Sequence, residues 1–170
     1  MRTIMIVAIC FMCILIIFNK KMRFYGVLKE QFKIFKDART SKTSYYDVSV
    51  FYILPLLISI IVVYYFKGAM PDTTLENILS IYSIIFAFLL GTIAMIGTTT
   101  DAKDTRQQVS NETFITIMNC IIISFFILID LVVILSGITC DILYVLLYTF
   151  IIMTIEYLFM IFKRIWKISV

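Results

Sequence analysis

The sequence predicts an all-α fold, a polytopic bundle of membrane-spanning helices, and three observations carry that expectation. Of 170 residues, 62% are hydrophobic and 15% are charged, against about 45–50% and about 25% in an ordinary soluble domain. The apolar residues gather into five runs; a soluble domain of this length has too little interior to hide them, and runs of about 18 or more read as spanning helices. The chain also lacks His altogether, which removes imidazole acid–base chemistry, His metal sites and every triad built on one. With no Gly-rich phosphate loop and no convergent catalytic set, the reading is of a non-enzyme without cofactor or metal.

The runs are Thr3–Phe18, Val48–Phe66, Ile78–Gly97, Thr113–Leu135 and Ile142–Ile161. The last four are long enough to cross a bilayer. The first sits at the lower limit and begins like a signal peptide, but Asn19, Lys20 and Lys21 follow it where small residues would mark cleavage, so it reads as an uncleaved anchor. Three regions result: an N-terminal span or anchor (1–18), a basic amphipathic segment (19–47), and a four-helix transmembrane domain with a short tail (48–170). Cys10, Cys13, Cys120 and Cys140 lie in or beside apolar runs and read as small packing residues, the CxxC of the first pair included.

Positive charge orients the chain, because cytoplasmic loops of membrane proteins are enriched in Lys and Arg. Placing residues 19–47 inside also places Lys103, Arg106, Lys163, Arg164 and Lys167 inside, which accounts for 13 of the 15 basic residues. The N-terminus is then outside and the C-terminus cytoplasmic. Pro71 to Glu76 offers a helix start, with Thr73 and Glu76 at capping-box spacing, and Ser136-Gly137 makes a tight hairpin between the last two spans. Those two helices are expected to be antiparallel neighbours.

Within residues 22–38, Phe24, Leu28, Phe32 and Phe35 fall on one helical face, with Lys29, Lys33 and Lys36 beside it. Such a helix suits a membrane surface, Phe in the acyl boundary and Lys against lipid phosphates. Lys29, Lys33, Lys36, Arg39 and Lys42 also make a docking surface for an anionic nucleotide or oligonucleotide, or for a cytosolic partner.

Small residues mark the third span. Ser80, Ser83, Ala87, Gly91, Ala94 and Gly97 share one stripe, and small side chains let helix backbones approach closely in lipid. The stripe serves packing within the chain, a subunit interface or a pore-lining face.

Two acids sit inside spans, Asp130 and Glu156. Each is expensive in hydrocarbon and defaults to a functional role. Asn119 shares the face of Asp130, while Thr149, Glu156 and Lys163 follow at seven-residue spacing along the last span. Either the carboxyls are protonated or hydrogen-bonded within the bundle, or rings of them in an oligomer line a cation-attracting path. Pro55 should kink the second span and leave a carbonyl free.

The stretch Ile78 to Gly91, the polar loop after it and Thr113 onward resemble small multi-spanning membrane proteins of bacterial antiphage and abortive-infection systems. The basic helix followed by Ala38-Arg39-Thr40-Ser41-Lys42 and a hairpin of spans is similar to effectors such as that of Hailong and to the membrane subunit of Kiwa. The resemblance covers roughly residues 20–135, rests on pattern and composition, and carries over no residue by position. It implies a homo-oligomer, taken as a tetramer, that depolarises the membrane or senses infection for a cytosolic partner. Three functions therefore compete: an ion channel gated from the cytoplasm through residues 19–47, a non-conducting sensor or scaffold, and a small proton-coupled transporter. The lack of an inverted repeat weighs against the last.

Overall fold

The computed structural model describes residues 24–35, 44–66, 70–96 and 104–169. All the regular structure among them is helical: α1 (Phe24–Ile34), α2 (Tyr45–Tyr65), α3 (Asp72–Ile96), α4 (Asp104–Leu135) and α5 (Asp141–Ser169). The last four are long and apolar enough to cross a membrane. The first predicted run, with Cys10 and Cys13, lies outside the described residues.

The helix ends show why the chain turns where it does. α3 starts at Asp72 because the Pro71 carbonyl accepts from the N–H groups of Thr74 and Leu75 at 2.9 and 3.1 Å. Pro71 thus takes the cap position, and Thr73, the predicted cap, falls two residues later inside the first turn. Gly137 closes α4 at φ 85°, the left-handed conformation that glycine adopts without strain. Its N–H donates to the Ile134 carbonyl at 2.9 Å, and Cys140 then caps the start of α5.

α4 begins nine residues before the predicted span, at Asp104 rather than Thr113. Its first turns are polar but contain no breaker, so the helix projects past the apolar run. α5 likewise continues through Lys163 and Arg164, making the predicted tail mostly helix.

α2 absorbs its proline without leaving the helix. Pro55 has no N–H to give and its ring presses on the carbonyl of Phe51. The chain widens into a π turn over Ser49–Ile53, and the Leu54 N–H reaches back to Ser49. Pro55's own carbonyl accepts the Ser59 hydroxyl at 2.7 Å.

α4 is the central helix. It packs on α3, α5 and α1, while α2 packs on α5. α4 and α5 are antiparallel neighbours, as the short hairpin requires, whereas α2 and α3, though consecutive, pack chiefly on other helices. α3 buries Leu75, Tyr82 and Leu89, a seven-residue seam. The small-residue stripe is on its other side. Ser80, Ser83, Ala87 and Gly91 are exposed, and a side chain added at Gly91 would meet nothing within 4 Å. Among the described residues, nothing packs on this part of the stripe. Ala94 lies in the last turn of α3, and Gly97 lies outside the described residues.

Aromatic side chains mark both ends of the bundle: Tyr64, Tyr65 and Phe66 at one, Tyr45, Tyr46 and Trp166 at the other, all exposed. This is the distribution of interfacial anchors. We expect Leu89→Ala, which empties a fully buried site, to lower stability in detergent by about 2 kcal/mol. Ile84→Ala, on the exposed face of α3, should stay within about 0.5 kcal/mol; thermal unfolding of the two variants measures the contrast.

Candidate functional site

Most hydroxyls inside the bundle are spent on their own helices. Thr149 donates to the Val145 carbonyl at 2.7 Å and Thr154 to that of Phe150 at 2.8 Å. Ser80, Ser83 and Thr92 of α3 do the same. A short hydroxyl reaches the carbonyl one turn back, so it crosses lipid at little cost. Thr149 accordingly has no donor left for a pore. The longer amides and carboxylates lack that local outlet.

Four buried polar groups on α4 and α1 show the consequence. Both amide atoms of Gln31 and of Asn119 are buried without a hydrogen-bond partner, as are Ser124 Oγ and Asp130 Oδ2. On α5, Glu156 Oε2 is buried and unpaired in the same way, though the residue as a whole is half-buried. Asn119 is 1% exposed and Asp130 7%, so both point into the protomer. Within the described residues of one protomer the Asp130 side chain therefore faces its own bundle.

At the basic end of α4, Arg164 of α5 closes a polar contact. Its Nη1 donates to the Thr116 hydroxyl at 2.9 Å, and its Nη2 lies 3.7 Å from Glu112 Oε2. The Thr116 hydroxyl in turn donates to the Glu112 carbonyl at 2.8 Å. One turn deeper, Asn119 lies beside the Tyr157 hydroxyl. Tyr157 donates to the hydroxyl of Tyr52 on α2 at 2.9 Å.

An aromatic group joins this level to α1. Phe35 packs on Phe51 and Tyr52 with ring centroids 5.2 and 6.3 Å apart, Phe32 stacks on Tyr52 at 5.4 Å, and Phe51 meets Tyr157 at 5.5 Å. Phe35 and Gln31 are buried. Within the described residues this helix docks on α4, with Phe32 and Phe35 against aromatic rings of α2. Lys29 and Lys33 stay exposed, Lys33 paired with Glu30. Lys36, Arg39 and Lys42 lie outside the described residues.

Between Asn119 and Asp130 the buried side chains of α4 are mostly apolar, with Ser124 the buried hydroxyl among them. Ile123 and Ile127 are buried, and Phe126 stacks on Phe150 of α5 with centroids 6.1 Å apart. Eleven residues of helix separate the two polar levels by about 16 Å. Asp130 and Glu156 sit on different helices at different heights, as their sequence positions implied.

Sequence reasoning picked out Asn119, Asp130 and Glu156 but missed Glu112, Arg164, Tyr157, Tyr52 and Gln31. Glu112 precedes Asn119 by seven residues, and Tyr157 precedes Arg164 by seven. Two antiparallel helices with polar residues at matching seven-residue intervals were the available signal. Gln31 was visible as the one amide on the apolar face of α1.

Fold and site together define a helical membrane protein with buried polar groups at two depths. Compared with known proteins, the chain matches no family model, no curated protein and no solved structure. Among the described residues no group of His, Cys, Asp and Glu is arranged to hold a metal ion.

The Tyr157–Tyr52 bond is testable by a double-mutant cycle. Tyr157→Phe and Tyr52→Phe should each cost about 1 kcal/mol. The double variant should cost close to one of them rather than their sum, read by thermal unfolding in detergent.

Proposed function

We propose that this protein is a non-enzymatic, cation-conducting membrane effector, captured here closed. The carrying observation is the pair of polar levels on α4, Asn119 near the basic end and Asp130 toward the other, separated by the layer of Ile123, Phe126 and Ile127. A short apolar constriction resists wetting and blocks ions without any moving plug, and widening it a little lets water through. Asp130 supplies the negative charge that favours cations over anions on the far side. The basic end is taken as cytoplasmic, which puts the C-terminus inside and α1 where a cytosolic trigger reaches it. A homo-oligomer in a bacterial inner membrane, acting in antiphage defence, completes the reading; that setting rests on the resemblance in the sequence.

A second reading keeps the same fold without conduction: a sensor or scaffold recruiting a cytosolic partner. The outward face of α1, with Lys29, Phe32 and Lys33 exposed, favours it. Flux from liposomes separates the two. Ile127→Ser places a hydroxyl in the apolar layer and should raise basal cation flux about ten-fold without any trigger. Asp130→Asn added to it should lower the preference for cations. Silence of Ile127→Ser, in protein shown to be folded, sinks the channel and leaves the scaffold.

A further inference from the structure

We propose that α1 is an exchangeable latch, docked on α4 in this structure and seated on an anionic lipid surface in a second state. The inference deepens the channel reading, and only its effect on conduction rests on that reading.

One apolar face serves both states. Leu28, Gln31 and Phe35 fall on the side of α1 that meets the bundle, Leu28 half-buried and the other two buried. The dock is small and its hold is concentrated at one end. Phe35 sits among Phe51 and Tyr52, Phe32 stacks on Tyr52, and the Ser44 N–H donates to the Phe35 carbonyl at 2.8 Å.

Against that hold stands Gln31. Its side-chain amide is fully buried with neither the nitrogen nor the oxygen paired. A buried amide left unmade loses what water would have provided, enough to shift a two-state ratio by about ten-fold or more. Release of α1 hydrates Gln31.

The outward face supplies what the second state needs. Lys29 and Lys33 are exposed beside Phe32, and Glu30 is the only acid on the helix. An amphipathic helix with Lys beside a Phe/Leu face inserts its apolar side at the acyl boundary and sets its ammonium groups against lipid phosphates. The bundle end bearing α1 also carries Tyr45, Tyr46 and Trp166, which places α1 at headgroup depth. Rolling from protein to lipid then requires no refolding of α1. Anionic headgroups stabilise the released state; zwitterionic ones leave the latch docked.

The test uses the full chain with its native cysteines replaced, spin labels at Gly26→Cys on α1 and Asn111→Cys on α4, and pulsed distance measurements in two vesicle types. In phosphatidylcholine a single short distance is expected. In vesicles rich in phosphatidylglycerol a second, longer population should appear. In the phosphatidylglycerol vesicles, where both populations are present, Gln31→Leu should raise the docked-to-released ratio about ten-fold. Lys29→Glu with Lys33→Glu, which leaves the dock intact, should remove the response to phosphatidylglycerol. An identical distance distribution in both lipids, or a Gln31→Leu variant with unchanged or smaller docked population, overturns the latch. Flux measured on the same vesicles keeps the two readings apart: movement of α1 without flux in any variant sinks the channel alone, and flux with an immobile α1 sinks the latch alone.

Discussion

Hydrocarbon offers no hydrogen bonds, so every polar group that enters it must close its bonds within the protein or remain unmet. This constraint sorts the side chains of the bundle by length. Ser and Thr reach the carbonyl one turn back and vanish into their helices, as Ser59, Thr149 and Thr154 do. Asn119, Asp130 and Gln31 have no such recourse and end inside without partners. Burial of α4 at the centre is the other half of the same logic, since it carries both an amide and an acid within its apolar run. Had either faced lipid, the cost would have been larger still.

Helices α2 and α3 can afford exposure because they ask nothing of their surroundings. Within their apolar runs, the outward residues are aliphatic, aromatic or glycine, or are small hydroxyls already bonded to backbone. α3 holds to the bundle by Leu75, Tyr82 and Leu89. That large-residue seam out-competes the small stripe because helices inside one chain are already tethered, and filled volume gives more dispersion contact than close backbones do.

How much of this was legible in the sequence follows from what each feature depends on. The four spans, the α4–α5 hairpin and the seat of Asn119 and Asp130 inside the bundle rest on local pattern, and pattern is written in the chain. The extension of α4 back to Asp104 was hidden because polar residues before an apolar run read as loop, although nothing among them breaks a helix. The Glu112, Thr116 and Arg164 contact and the docking of Phe35 were hidden for a different reason. They depend on which helices become neighbours, and a basic amphipathic helix has the same periodicity whether its face meets lipid or protein.

That ambiguity in α1 has a physical counterpart in how the basic end is joined to the interior. Phe35 braces Phe51 and Tyr52; Tyr52 accepts the hydroxyl of Tyr157; Tyr157 stands beside Asn119. Each contact is short-range, and each orients the next ring or hydroxyl. Withdrawal of Phe35 takes one wall from Tyr52, so its rotamer is no longer fixed by packing and its bond to Tyr157 weakens. Tyr157 then has the Asn119 amide beside it as its alternative partner. Contiguity alone does not make a coupling pathway; a two-state element biased at one end does. Under the proposed latch α1 is that element, and Asn119, at the edge of the apolar layer, is the first intramembrane group to register its state.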